Sequence, residues 1–445
     1  MAQILPFRAF RYDPQQVLPA QAVTQPYDKI TSAMQDRYYA ASPYNLVRII
    51  LGRSENADNR ANNVYSRAAA GFREWRQKGI LRQDLLPAIY AYSQRFTAPG
   101  ANAELERRGF IALGRLEDYS AGVIFRHEQT LAKPKADRLD LLRATRAHFG
   151  QLFMVYEDSG EIDSLLSPSG DPAISVTDEY GVLHRVWPIS DSGVIDSVRE
   201  KMRDKKLIIA DGHHRYETAL TYAKERRAAE PSSPKSMAKS TSDQSQPPFE
   251  FAMMTFINMN SPGLVILPTH RVVHGLSSFS PEDFRASSRT FFDVEEADPS
   301  VDAAHAAVIL REAGRCGTAL LAVAANRAFL LHKPHATGSP VFSGFSLRQQ
   351  ALDVVQLHQC LLQGVLHLSE ESIRNQQNIS YVRDAAEALS RVRASNGARA
   401  DIAFLMNPCR MAQVRDVAFA GEVLPQKSTD FYPKLLSGLT IYALD

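Results

Sequence analysis

The stretch LIIADGHHRYETALTYAKE, residues 207–225, decides how this chain is read. LIIA is an unbroken apolar run, the mark of a buried strand. Tyr216, Ala219, Leu220 and Ala223 then recur at helical spacing. A strand that runs into a helix across Asp211 and Gly212 places the glycine at a tight turn. There, unpaired N–H groups and the positive end of the helix dipole attract an anion. His213, His214 and Arg215 fall in the first helical turn, where cationic or donor side chains oppose the dipole unless an anion is bound. Asp211 adds a carboxylate at the lip. In phosphoryl transfer such a group holds Mg²⁺ or takes the proton from an attacking hydroxyl. The structural alternatives are that Asp211 only caps the helix and that Arg215 pairs with Glu225 or a distant carboxylate. Adjacent histidines point about 100° apart on a helix, so the i, i+4 spacing of a zinc helix is absent.

Working outward, the 445 residues suffice for two or three domains. Lys and Arg number 51 against 49 Asp and Glu, so charge gives no footprint for nucleic acid or an anionic membrane. The three cysteines, Cys316, Cys360 and Cys409, form no CxxC pair, which argues against a zinc cage or a disulfide framework. No apolar run approaches membrane length, and Arg8 and Arg11 interrupt any secretory signal, so a cytoplasmic protein is expected.

The first 60 residues read as strands and turns, residues 62–79 as a helix, FIALGRL as a buried strand and residues 135–148 as an amphipathic helix. FMVYED, LHRVWPI, FEFAMMTFINM and ADIAFLMNP read as strands. TALLAVAA and RAFLLHK read as a hairpin, and LDVVQLHQCLLQGVL as a helix. Residues 228–249 are rich in Ser, Pro, Lys and Gln and predict a mobile insertion. The expected fold is α+β (mixed α/β), with a catalytic region over 1–275 and a C-terminal α/β region over 276–445.

Other stretches carry chemistry. RHEQTLAKPKADR gathers His127, Glu128, Thr130, Lys133, Lys135 and Arg138, with Glu128 placed to activate a hydroxyl; a solvated loop explains it equally well. In LPTHRVV, His270 and Arg271 beside Thr269 suit a second phosphate or a carboxylate; the alternative is a pair at the edge of the core. PQKSTDFYPK holds Lys427, Ser428, Thr429 and Lys434 in a proline-stiffened loop that suits an anion but lacks the P-loop pattern. QPYDK, with Tyr27 and Asp28, can hold a substrate amine or sugar hydroxyl, though a turn is the more economical account.

IADGHHRYETAL resembles the signature of the domain of unknown function 1015 family. PFRAFRYD, QPYDKI, GFIALGRLED, RHEQT with PKADRL, HRVWPI, LPTHRVV, LDVVQLH, FLMNP and PQKSTDFYPKLLSGL follow as family blocks in family order. The DGHHR core is also similar to the nucleotide-phosphate motif of the ParB and sulfiredoxin-like fold, most of all in the free-serine kinases. That resemblance implies a ParB/sulfiredoxin-like nucleotide-binding core with a second C-terminal unit. It assigns Asp211 and His214 to catalysis and Gly212 and Arg215 to phosphate, and Glu128 stands for the kinase's glutamate base; His213, in the first helical turn, is expected at the phosphates from its position alone. His213 replaces the sulfiredoxin cysteine, which excludes thiol redox chemistry there. A Ser/Pro insertion follows where ParB proteins carry a helix-turn-helix.

The resulting expectation is a nucleotide-dependent phosphotransferase acting on a small hydroxyl substrate, free L-serine to O-phosphoserine. It would use ATP or ADP and Mg²⁺, with Asp211 as the metal ligand and His270, Arg271 and Lys427 as further cofactor-binding residues. The alternatives are a phosphohydrolase acting on phosphoserine or a related ester and a non-catalytic nucleotide-binding switch. Expected partners are a small-molecule substrate and a nucleotide, with no nucleic acid and no membrane; a homo-oligomer is left open.

Overall fold

A computed structural model describes residues 1–128, 133–229, 246–335, 338–394 and 399–445. Helices and mixed sheets occur throughout, an α+β architecture. The chain divides into two compact units. Unit 1 takes 1–126, 130–265 and 433–445; unit 2 takes 127–129 and 266–432. The boundary thus lies at residue 265 and not at the expected 275, because His270–Val273 pairs with Ile379–Val382 and Ile402–Met406. The C-terminal residues return to unit 1, where Tyr442 and Ala443 pair with His148 and Ala147.

In unit 1 a nine-stranded sheet comprises β1 (Ile4–Leu5), β2 (Ile89–Thr97), β3 (Glu104–Arg115), β4 (Ile124–Phe125), β5 (Leu152–Tyr156), β6 (Ile174–Thr177), β7 (Leu183–Ile189), β8 (Leu207–Asp211) and β9 (Phe251–Asn258). Its order is β4-β8-β5-β9-β3-β2-β7-β6, with β1 added beside β3. All eight residues of β9 are buried, which explains why FAMMTFIN reads as a continuous apolar run and not as an alternation. Helices α1 (Val64–Gln77), α2 (Lys133–Thr145), α3 (Ser192–Met202) and α4 (His213–Ala229) complete the frame. The stripe Tyr216, Ala219, Leu220 and Ala223 on α4 packs on Ile209, Met154 and Phe256 of the sheet core. Burial of large side chains such as Tyr216 and Leu220 contributes roughly 1.5–3 kcal/mol each. This burial fixes where α4 begins.

The opening 60 residues depart from the expected strands and turns. Residues Ser32–Ala41 form a helix capped by Thr31, which accepts from Met34 N at 3.3 Å, and strands are limited to Ile4–Leu5 and Phe10–Tyr12. Only Met34 of that helix is buried, so it has no apolar stripe to announce it. The insertion expected at 228–249 lies largely outside the described residues; 228–229 end α4 and 246–249 lead into β9.

Unit 2 carries a six-stranded sheet of β10 (His270–Val273), β11 (Asp293–Ala297), β12 (Ala319–Val323), β13 (Ala328–His332), β14 (Ile379–Val382) and β15 (Ile402–Met406), in the order β11-β13-β12-β15-β10-β14. The expected hairpin is β12 with β13. LDVVQLHQCLLQGVL is helical, but residues Leu357–Val365 wind as a π-helix, a rare form that is frequent at functional sites.

Among the described residues, no helix is long and apolar enough to cross a membrane. Burial of His148 in unit 1, where its ring stacks on Tyr442 at 5.9 Å, pushes the imidazole down to about 4. The unfolded chain therefore takes up this proton first, at about pH 6.5. Stability contributed by the neutral ring is present above pH 6.5 and is lost as pH falls towards 4. Melting temperatures between pH 7 and 4 are expected to fall less steeply in His148→Gln than in the wild type; parallel curves would contradict this.

Candidate functional site

β8 reaches the turn through a bulge between Ile209 and Asp211, and Asp211 lies opposite Phe153. Gly212 follows with φ +96°, a left-handed conformation that favours glycine, and its carbonyl accepts from Tyr216 N at 2.9 Å as α4 begins. Gly212, and not Asp211, therefore stands immediately outside the helix. The carboxylate of Asp211 points to cations instead: Oδ2 accepts from Arg215 Nη2 at 2.8 Å and Oδ1 from Lys434 Nζ at 3.4 Å. Glu225, the alternative partner for Arg215, pairs with Arg143 at 2.6 Å.

Two glycines shape the path of the Arg215 side chain. A Cβ on Gly212 would lie 3.0–3.1 Å from its guanidinium, and one on Gly150 would lie 3.3 Å from Nη1 and 3.0 Å from Ser437 Oγ. Nη1 donates to the Gln151 carbonyl, so the fork is held between the residue ahead of β5 and the turn.

Electrostatics sets the state of Asp211. Burial raises its carboxyl, but the cations Lys434, Arg215, Lys29 and His213 outweigh this and hold the group well below the usual carboxylate range. It is ionised at neutral pH. A group so weakly basic is a poor proton acceptor near pH 7 and a good electrostatic or cation-binding one.

Lys434 is positioned from beneath. The Arg107 guanidinium, on β3 and 1% exposed, donates to Gln94 Oε1 and to the Pro433 carbonyl and lies 4.7 Å over the Phe153 ring. Gln94 Nε2 donates to the Lys434 carbonyl at 2.9 Å. Burial pushes Arg107 down to about 10, against the opposing charges of Tyr92 and Asp211. Arg107 and Gln94 thus fix the Pro433–Lys434 backbone within reach of the turn.

Beside Arg215 lies a cavity of about 80 Å³ whose walls include Tyr27, Arg138, Phe149, Thr218 and Ser437. Arg138 lies 4.2 Å over the Tyr27 ring and donates to Asp137 and the Ile50 carbonyl. The Thr218 hydroxyl is buried without a hydrogen-bond partner.

The structure therefore brings together Asp211, Gly212, His213, His214 and Arg215 in unit 1; His213 is buried and His214 half-buried. Glu128, His270, Arg271 and Lys427 belong to unit 2. There, Glu128 Oε1 accepts from Ser428 N at 3.3 Å, and Arg271 Nη2 donates to the Lys427 carbonyl at 3.1 Å. His270 is buried in β10, its Nδ1 accepting from Met406 N at 3.2 Å, and burial pushes its imidazole down to about 4. It is neutral at pH 7. Within the stretch around Glu128, Thr130 lies outside the described residues, and Lys135 pairs with Glu217. Sequence reasoning did not assign Arg107, Gln94, Gly150, Gln151, Thr218 or Ser437 to the site; Lys29 and Lys434 lay inside noted stretches, but nothing local tied them to Asp211.

Among the described residues, no group of three His, Cys, Asp or Glu could hold a metal unaided. Mg²⁺ is commonly held by one or two carboxylates, water and substrate phosphates, so a single ionised Asp211 fits that ion only together with a phosphate ligand.

No curated protein matches the chain. Among solved structures it is similar to a conserved hypothetical protein from Pyrococcus furiosus, with 11% identity, a TM-score of 0.33, and coverage of 70% of this chain and 89% of that one. A free serine kinase in complex with AMP gives 12% identity, a TM-score of 0.33, and 69% and 83% coverage. SbnI from Staphylococcus aureus, truncated at its C-terminus, gives 9% identity, a TM-score of 0.34, and 74% and 85% coverage. The family model described as "Protein of unknown function (DUF1015)" matches residues 4–355.

Proposed function

Because the chain belongs to the DUF1015 family, whose function is open, we propose from the residues of its own site that it is a nucleotide-dependent phosphotransferase acting on a small hydroxyl substrate, free L-serine being the leading candidate. One observation carries this reading: an ionised Asp211 set among Lys434, Arg215, Lys29 and His213 where Gly212 opens α4. Four cationic or donor side chains and the helix N-terminus exceed what one carboxylate neutralises, and a phosphate chain supplies the remaining negative charge.

In this proposal the nucleotide's phosphates take up the backbone N–H groups after Gly212, together with Arg215, Lys434 and His213. His214 donates to the transferred group. Bound Mg²⁺ would neutralise charge on the phosphate oxygens, with Asp211 as its protein ligand. The depressed pKa of Asp211 favours this role over that of a base. The cavity of about 80 Å³ beside Arg215 suits a small acceptor, since one water occupies roughly 30 Å³ of liquid. Positioning and electrostatics supply most of the acceleration, because the transferred phosphoryl group spreads its charge over its own oxygens. Glu128, the expected base for the hydroxyl, and His270, Arg271 and Lys427 belong to unit 2, and no role in this step is derived for them.

The test is phosphorus NMR of the protein with Mg²⁺, L-serine and ATP or ADP, with His214→Ala alongside. O-phosphoserine formed by the wild type and lost in the variant is the expected result. No phosphorylated product with either nucleotide would overturn the proposal, and inorganic phosphate released from O-phosphoserine would redirect it to hydrolysis.

A further inference from the structure

Several of the noted stretches remain outside the proposed reaction, and in unit 2 they meet around one side chain. Arg271, from LPTHRVV, is 1% exposed. Its hydrogen bonds all go to uncharged acceptors: Nη1 to the Thr269 carbonyl and to Met406 Sδ at 3.2 Å, and Nη2 to the Lys427 carbonyl at 3.1 Å. Its Nε has no partner, and among the described residues no carboxylate forms an ion pair with it. Met406 comes from FLMNP and Lys427 from PQKSTDFYPK.

A guanidinium cannot shed its charge by losing a proton, so a buried one without an anion is costly. Among the described residues, no neighbour forms an ion pair with it. Burial pushes the Cys409 thiol up to about 12 and His358 down to about 3, the latter with help from the Arg271 charge, so both are neutral. The Tyr381 ring lies 5.3 Å from the guanidinium carbon. Glu128 acts on Arg271 through its charge, but it accepts from the N–H of Ser428 while Arg271 donates to the carbonyl of Lys427. In a trans peptide these two groups point in opposite directions, so Glu128 Oε1 and Arg271 Nη2 bond opposite edges of the 427–428 peptide.

Two further features gather here. His358, from LDVVQLH, is 7% exposed with its Nε2 unpartnered, and it sits on the π-helix. Lys427 holds φ +58°, a left-handed conformation unusual for a residue with a side chain, and Arg271 bonds its carbonyl. Lys427 is exposed and Glu128, Tyr381 and Cys409 are half-buried, so the cluster extends from the core to the surface of unit 2.

We propose that Arg271 and His358, beside the Lys427–Ser428 peptide, form an oxyanion-binding site within unit 2 that takes a carboxylate or phosphate group. Arg271 Nε and His358 Nε2 are the donors it would engage, the imidazole carrying its proton on Nε2 for that purpose. This site stands independently of the reaction assigned to the turn at Gly212.

The test is calorimetric titration of the full chain with acetate and, separately, with inorganic phosphate, in an Arg215→Ala background so that the turn at Gly212 does not contribute. At least one anion is expected to bind, and which one does identifies the group. Adding Arg271→Gln should abolish binding. Adding His358→Gln, which is the second test should the Arg271 variant fail to fold, should weaken it about tenfold, the worth of one hydrogen bond to a charged group. The proposal is overturned if neither anion binds, or if binding survives unchanged in both added variants.

Discussion

Asp211→Asn is expected to lower Mg²⁺-dependent turnover by about a hundredfold or more and, in the absence of Mg²⁺, to bind inorganic phosphate more tightly than the wild type. The two effects have one cause. Asp211 is ionised and occupies Arg215 and Lys434, the cations that an incoming phosphate needs. Asparagine keeps the shape, removes the competing charge and leaves those cations available. Loss of a unit charge some ångströms from the anion, at a partly screened site, corresponds to about a tenfold gain in phosphate affinity. Without the carboxylate the metal loses its protein ligand, and turnover should fall by about a hundredfold or more. Phosphate affinity measured by titration without Mg²⁺, and turnover with it, separate these outcomes. Weaker phosphate binding in the variant would mean that Asp211 orders the turn and does not compete at it.

Arg107→Met is expected to destabilise unit 1 by about 3 kcal/mol, read as a shift in the urea midpoint, and to weaken nucleotide binding through Lys434. Methionine can replace the buried stem over Phe153, but it donates nothing to Gln94 Oε1 or the Pro433 carbonyl. Each buried acceptor left without a donor costs about 1–3 kcal/mol. Relief from burying a guanidinium works in the other direction, which is why the expected sum is at the lower end of that range for two groups. Arg107→Lys restores charge without the fork, so it should recover little. A stable Arg107→Met with unaltered nucleotide affinity would show that the C-terminal loop holds Lys434 unaided.

The turn was legible because its information is local. Apolar LIIA, the glycine with φ +96° and the stripe from Tyr216 to Ala223 are read within seventeen residues of chain, and periodicity alone places them. Lys434 comes from 223 positions away, and Arg107 joins Gln94 to a carbonyl 326 positions from itself, so only the sheet order brings them to Asp211. The helix at Ser32–Ala41 was missed for a different reason: it buries a single residue and so has no stripe. His358 was read correctly as helical, but a π-helix has no sequence period that sets it apart from an α-helix over nine residues. The state of His270 was likewise not legible: LPTHRVV offers a pair for a phosphate or carboxylate or a pair at the edge of the core, and only its place in β10 shows it as a neutral acceptor for the Met406 amide.

The turn at Gly212 is expected to hold a nucleotide's phosphates, and the most direct measurement is the affinity of ATP and ADP for three forms of the protein. The wild type should bind at least one of them. Arg215→Ala should bind it roughly ten- to a hundredfold more weakly, the loss of a charge-assisted contact, while Arg271→Gln should match the wild type. Equal affinity in the wild type and Arg215→Ala, or no binding by the wild type, would contradict it.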